Sequence, residues 1–381
     1  MVLFDSSLYS VIQIDLMTSS INFYKKTNNG KGEIVEKAEH FSSKFGSDEF
    51  FETLKSAVSI NYNKKTDGKT ALVLPDELFF IDTVKLPLIQ KKAMENSLGL
   101  AVNALYENSA ELKYGSFVLS SDKQNANYCV IGIKKDILSK TVKAVEDGGV
   151  DISAVTFTSN SAVSGAIALC PKIKNEDFLL ADVKADYTRF SLAVNGKTAG
   201  FFTVPIGYKG FSENDVVREY EFFDHTVAER VVEMAKAKAK NKKTAVIKAI
   251  ETEDEESSVS TAEEETVVVS ARYGKPAKRY PKFMVRETPT DAKECVYECF
   301  RPILKWIDEV LISNEEILSL KRETPIYFNL PSHLSYLVEM ANAEGDGLYN
   351  LLQTSEDKIE MLSKIDLYGG FSVKKGKVNL F

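Results

Sequence analysis

Apolar and polar positions alternate in short bursts at the start of the chain and again in its middle, with the same turn chemistry each time. Val11 to Asp15, Ser20 to Lys25 and Glu33 to Phe41 read as three successive strands. Asn29-Gly30 marks a tight hairpin between the last two, because both residues tolerate the positive φ such turns require. In mid-chain Phe178 to Asp182, Tyr187 to Val194 and Thr198 to Ile206 repeat the plan, with Asn195-Gly196 at the hairpin. Each unit's first strand ends in an aspartate, Asp15 and then Asp182. From that aspartate to the turn glycine is fifteen residues in the first unit and fourteen in the second. The pattern predicts an α/β protein of two lobes, each opening on the same β-β-β unit.

Between the units the periodicity changes. An amphipathic helix is predicted over Asp48 to Ser59, with Phe50, Phe51, Leu54 and Val58 on one side. Further on come a helix over Gln90 to Leu105, strands over Tyr114 to Ser120 and Tyr128 to Ile133, and a helix over Lys135 to Asp147. Gly148-Gly149 caps the latter helix. A strand over Asp151 to Thr158 leads into a helix of small residues around Ser161 to Leu169, which Pro171 stops. After the second unit, residues 235–282 break the pattern: Lys236, Lys238, Lys240, Lys242 and Lys243 are followed by Glu251, Glu253, Asp254, Glu255, Glu256, Glu263, Glu264 and Glu265. So little apolar surface reads as a solvated, largely mobile insertion, with an electrostatic docking arm as the alternative. A helix carrying Trp306 over Asp291 to Leu311, a strand over Pro325 to Asn329 and a helix over Ser332 to Asn342 complete the plan. The expected organisation is a first-lobe core at 1–83, an inserted subdomain at 84–155, a return and crossover at 156–175, a second lobe at 176–345 and a C-terminal segment, 346–381, returning to the first lobe.

Composition narrows the chemistry. The 381 residues suit two or three domains, and 44% apolar content allows a sizeable core. A net charge of -7 argues against nucleic acid as the main partner, since phosphate contacts need concentrated Lys and Arg. Four cysteines in such a chain are no disulfide framework. Cys295 and Cys299 read as small residues on one buried helix face rather than as half a metal site. His40, His225 and His333 each lack a neighbouring second ligand, which argues against a His-based metal centre or triad. Met1 to Ser10 does not read as a signal peptide, and the chain has no apolar run of about 18 residues, so a cytoplasmic location is expected.

The turn after the first strand is the most informative stretch. Asp15-Leu16-Met17-Thr18-Ser19-Ser20-Ile21-Asn22 resembles the Asp-Ile-Gly-Ser-Ser-Ser-Ile-Lys signature of PilM-type type IV pilus assembly proteins, which belong to the actin-like group and are similar to the division protein FtsA. Asp15 and the hydroxyls of Thr18, Ser19 and Ser20 match; Met17 replaces the glycine and Asn22 the lysine. Leu74-Pro75-Asp76, Leu86-Pro87 before a helix, Lys135 to Asp151 with Gly148-Gly149-Val150, and the closing Val378-Asn379-Leu380 resemble that family's landmarks in the same order.

The resemblance implies an actin-like, RNase H-like duplicated fold with a subdomain inserted in the first lobe. It also implies a nucleotide cleft lined by Asp15, Thr18, Ser19, Ser20, Asp182 and Thr188. In such clefts glycine lets the backbone N–H groups reach phosphate. Here Asp182-Val183-Lys184-Ala185 stands where Asp-Ile-Gly-Ala is expected, and Asn329-Leu330-Pro331 where a strand should run into Gly-Gly. Three loops have each lost the glycine, although the charge of Lys184 suits phosphate. The expectation is therefore a pseudo-ATPase scaffold with no cofactor; an ATPase binding ATP with magnesium is the alternative. For the surviving aspartates the structural reading is that each accepts backbone hydrogen bonds in its own turn. The implied partner is the cytoplasmic N-terminal tail of a bitopic inner-membrane protein of the PilN type, held between the first-lobe core and the inserted subdomain. That places the protein peripherally on the inner face of the cell membrane and leaves room for a homo-oligomer. A division protein like FtsA is disfavoured, because Gly376 to Phe381 reads as a strand rather than an amphipathic membrane helix.

Overall fold

A computed structural model describes residues 10–26, 34–63, 68–87, 91–106, 109–211, 293, 296–307, 324–345, 349–354 and 359–372. The Asn29-Gly30 turn, His225, the charged insertion, Cys295 and the closing Val378-Asn379-Leu380 lie outside them.

Two five-stranded sheets carry the same topology. The first is ordered β3-β2-β1-β4-β8, from β1 (Ser10–Asp15), β2 (Ser20–Lys26), β3 (Ile34–His40), β4 (Lys69–Leu74) and β8 (Asp151–Phe157). The second is ordered β11-β10-β9-β12-β13, from β9 (Phe178–Val183), β10 (Thr188–Val194), β11 (Lys197–Val204), β12 (Ile326–Asn329) and β13 (Tyr349–Leu351). In each, the first three strands form an antiparallel meander, and two further strands join parallel to the first. The duplication expected from the strand-Asp and Asn-Gly pattern is thus a duplication of topology. Asn195 at φ 53° and Gly196 at φ 70° make the β10–β11 turn in the left-handed conformation those two residues allow.

A third, antiparallel sheet, β5-β7-β6, comes from β5 (Phe79–Pro87), β6 (Leu112–Ser121) and β7 (Asn125–Lys134). One face buries Val84, Leu86, Tyr128 and Val130 under Leu98 and Val102 of helix α2 (Lys91–Leu105). The other joins the main core through Phe117, Cys129 and Ile131. Helices α1 (Asp48–Asn61) and α3 (Lys135–Asp147) accompany the first sheet. Ser47 caps α1 by accepting from the Phe50 N–H, and Phe50, Leu54 and Val58 are buried as their spacing predicts. Residues 296–307 are helical, and buried Trp306 lies 5.0 Å from the Phe202 ring.

Helix α4 (Thr158–Leu169), with sequence TSNSAVSGAIAL, lies against the second sheet; helix α7 (Ile365–Gly370) lies against the first. Between them in the chain come α5 (Tyr336–Glu344) and α6 (Ile359–Leu362). Because α4 is covered nearly all round, its residues are small and uncharged rather than amphipathic. It crosses α7 at glycines. A methyl group built on Gly165 would overlap the Ile365 carbonyl, and one on Gly369 the Ser161 carbonyl. The two lobes therefore meet through a helix pair at backbone contact distance.

Candidate functional site

Both repeat aspartates open onto the region where the lobes face each other. Asp15 ends β1, and its carboxylate accepts from the backbone N–H groups of Met17 at 2.8 Å and Thr18 at 3.3 Å. The turn thus uses Asp15 as an internal acceptor. The Thr18 and Ser20 hydroxyls bond to each other at 2.7 Å, and Ser19 adopts φ 49°. In the second unit Asp182 is fully buried and accepts from the Asn329 amide at 2.7 Å. Thr188 donates to the Ile206 carbonyl at 2.7 Å. The hydroxyls of Thr18, Ser20 and Thr188 are thus engaged within the protein.

The cleft holds charges that the motif did not name. Lys184 Nζ lies 3.1 Å from Asp182 and 3.4 Å from Asp366 on α7, and donates to the Ser363 carbonyl at 3.0 Å. Arg189, from β10, lies 3.2 Å from Asp76 and 3.5 Å from Asp366. Its guanidinium donates to the Tyr187 hydroxyl at 3.3 Å, and that hydroxyl donates to Asp15 at 3.3 Å. Asp366 also accepts from the Gln13 amide at 2.9 Å. Asp76 accepts from the backbone N–H and hydroxyl of Ser159 at 2.8 and 2.7 Å. The closest Lys184–Asp182 and Arg189 Nε–Asp76 approaches are ion pairs without hydrogen-bond alignment.

Burial and charge act against each other here. Burial pushes the Asp76 and Asp182 carboxyls above the usual carboxylate range, outweighing Arg189 for the former and Lys184 for the latter. Burial also opposes ionisation of Asp366, but Lys184 and Arg189 outweigh it and hold its pKa down to about 2. Lys184 is pulled upward: burial opposes its charge, yet Asp182 and Asp366 prevail. Three buried carboxylates thus surround buried Arg189 and partly buried Lys184.

Sequence reasoning found Asp15 and Asp182 but treated Asp76 only as a landmark and missed Tyr187, Arg189 and Asp366. A signal existed for the last two. Arg189 interrupts the apolar run of β10, TRFSLAV, and Asp366 interrupts that of Ile365-Asp366-Leu367. A charge in a buried run requires a partner. Lys184, whose charge suits phosphate in sequence terms, is instead 17% exposed and faces two carboxylates. Among the described residues, no group of three or more His, Cys, Asp or Glu is arranged to hold a metal ion.

Twin β-meander sheets facing each other across a helix pair are the actin-like fold, and this chain has it. The structure described as the PilM-PilN type IV pilus biogenesis complex is similar over 96% of this chain and 96% of that one, with a TM-score of 0.52 at 11% identity, a likeness of fold. The ethanolamine utilization protein EutJ from Carboxydothermus hydrogenoformans matches over 96% of this chain and 89% of its own, at TM-score 0.40 and 11% identity. The cytoplasmic domain of EpsL, an inner-membrane component of the type II secretion system of Vibrio cholerae, matches over 53% and 71%, at TM-score 0.36 and 13% identity. No protein-family model matches the chain, and no curated protein does. Among the described residues no helix is long and apolar enough to cross a membrane.

Proposed function

We propose that this protein is an actin-like scaffold of a type IV pilus or type II secretion-like assembly machine, cytoplasmic and peripheral on the inner face of the cell membrane. It captures the cytoplasmic N-terminal tail of a bitopic PilN-type protein and works without hydrolysing ATP. The observation that carries this reading is agreement in fold over 96% of both chains with a structure described as PilM with PilN. The ordered landmarks from Asp15 to Gly148-Gly149 support the same assignment. On this reading the tail binds between the first-lobe core and the subdomain built on β5-β7-β6.

The cleft supports the pseudo-ATPase half of the reading. A metal-bound nucleotide needs free carboxylates and open backbone N–H groups. Here Asp182 and Asp366 already face the Lys184 ammonium, and Asp15 is engaged by its own turn. The side chains present do not fit a metal-bound nucleotide, and no catalytic step is assigned to them.

The test is capture. A synthetic peptide of the cytoplasmic tail of the PilN-type protein encoded by the same organism is titrated into the full chain by calorimetry, with a scrambled tail as control. One-to-one binding of the native sequence alone is the expected result. A folded protein that ignores the native tail overturns the assignment.

A further inference from the structure

The charges in the cleft join parts of the fold that no continuous sheet connects. Asp15 and Asp76 belong to the first lobe, at the ends of β1 and β4. Lys184, Tyr187 and Arg189 belong to the second, in the β9–β10 turn and in β10. Asp366 sits on α7, which packs against Val11 and Val73 of the first sheet. Every contact from Arg189 to Asp76, from Arg189 and Lys184 to Asp366, and from Tyr187 to Asp15 therefore runs from the second lobe to the first or to the helix lying on it.

Two features make these contacts strong. Arg189, Asp76 and Asp366 are each no more than 5% exposed, so water and salt screen them little. The contacts are also connected: Asp366 touches both cations, and Arg189 touches both Asp76 and the Tyr187 hydroxyl that reaches Asp15. Breaking the Lys184–Asp366 link leaves Asp366 held by Arg189, and breaking the Arg189–Asp76 link leaves Arg189 held by Asp366. The glycine crossing of α4 and α7 adds a steric component, since a rotation of one helix on the other would drive backbone into backbone.

We propose that these side chains are a permanent clamp: Lys184 and Arg189 are built-in cations that hold the two lobes closed, so that closure depends on no bound ligand. The proposal rests on the reading that the cleft is not a working nucleotide site. It adds that the lobes present one fixed, closed form to any partner. Nucleotide-driven opening and closing is replaced by a fixed set of ion pairs.

The experiment reads lobe closure directly and involves no partner tail, so its failure is distinct from a failure of tail capture. Hydrogen–deuterium exchange and small-angle scattering are measured on the full chain with and without Mg-ATP, and on Arg189→Met, Asp366→Asn and Tyr187→Phe. Lys209→Met, which removes an exposed ion pair with Asp186, serves as control. The wild type and the control are expected to show slow exchange over 158–169 and 365–370 and an unchanged radius of gyration with Mg-ATP. Arg189→Met and Asp366→Asn should accelerate exchange in both helices at least tenfold and enlarge the radius, with far-UV circular dichroism retained. Tyr187→Phe deletes one hydroxyl from the clamp without changing the core, and keeps the test informative if the charge variants do not fold. Its exchange should rise in the 15–18 turn and in 365–370. The clamp is overturned if Tyr187→Phe and every charge variant that folds exchange like wild type, or if Mg-ATP slows exchange over 158–169 and 365–370 in the wild type.

Discussion

Arg189 of the second sheet reaches across the lobe boundary to Asp76 of the first, 3.2 Å away, with both side chains 5% exposed. Neither residue would be stable there alone. Removing the guanidinium leaves Asp76 and Asp366 short of counter-charge in a dry site, and breaking a buried pair in that way costs about 3–5 kcal/mol. Arg189→Met should therefore lower stability by about that amount in urea unfolding followed by fluorescence, with Trp306 as reporter. The double variant Arg189→Met/Asp76→Asn removes the charge from both partners and should recover part of the loss. A double variant as unstable as the sum of its singles would show that the pair is not coupled.

The helix crossing gives a second, purely steric prediction. Gly369→Ala places a methyl group on the Ser161 carbonyl, and both helices are pinned by the sheets beneath them. Overpacking of this kind costs about 1–3 kcal/mol, and the fixed backbone places this case at the upper end. Gly149→Ala is the comparison: its φ is +100° but open space surrounds it, so only backbone strain of about 1–2 kcal/mol applies. Thermal unfolding should rank Gly369→Ala below Gly149→Ala, and the reverse order would mean that α4 and α7 separate freely.

What could be read from the sequence follows from how far apart interacting residues lie. The meanders were legible because antiparallel neighbours are adjacent in the chain and their turn chemistry is local, as at Asn195-Gly196. The two aspartates were legible because each closes an apolar run, Asp15 as the last residue of β1 and Asp182 as the last but one of β9. The parallel strand β13 has three residues and α7 has six, too short for any periodicity to show. The charged cluster was invisible for a different reason. Asp366 is 182 residues from Lys184, 177 from Arg189 and 353 from Gln13, and only the folded chain brings them together. The sequence shows that Arg189 and Asp366 interrupt apolar runs, but not that they meet.

The same cluster sets a pH dependence whose two limbs have opposite sign. Asp76 and Asp182 have raised folded-state pKa values, so each adds stability that is present below the unfolded value, about 3.9, and is lost as pH rises through the raised one. Asp366, held at about 2, adds stability that is present above the unfolded value and lost as pH falls toward 2. Lys184 and Arg189, both held charged, and the non-titrating Gln13 amide face these carboxylates and stay in their neutral-pH states across this window. Stability should therefore rise as pH falls from neutral, peak on the acid side and drop below about pH 4. Asp366→Asn should flatten the acid drop while lowering stability at neutral pH. Urea midpoints from pH 3 to 8 measure both limbs, and a wild-type curve that falls monotonically from pH 7 would contradict the raised carboxyls.

The nucleotide question turns on Lys184 and the loops around it. ATP in an actin-like cleft depends on backbone N–H groups reaching the phosphates, and side chains stand at Met17 and Lys184 where that approach would occur. Each charge-assisted hydrogen bond so lost removes about 1.5–3 kcal/mol, and losing several lowers affinity by several powers of ten. Attraction between Lys184 and phosphate does not restore this, because the ammonium is already shared by Asp182 and Asp366 at 3.1 and 3.4 Å. Calorimetry with Mg-ATP should show no binding to the wild type at up to about 100 µM, which corresponds to affinities weaker than about -5.5 kcal/mol. The more demanding variant is Lys184→Gly, which restores the glycine that the motif lacks. If the loop sequence alone had disabled the site, Lys184→Gly would gain nucleotide. On the geometry of the cluster it should instead lose stability, because Asp182 is fully buried and Asp366 nearly so, and both lose a counter-charge; it should still not bind Mg-ATP. A low-micromolar Kd for the wild type, abolished by Asp15→Ala, would make the protein a working nucleotide binder. The same affinity appearing only in Lys184→Gly would mean that a single side chain, rather than the whole clamp, keeps the cleft closed to ATP.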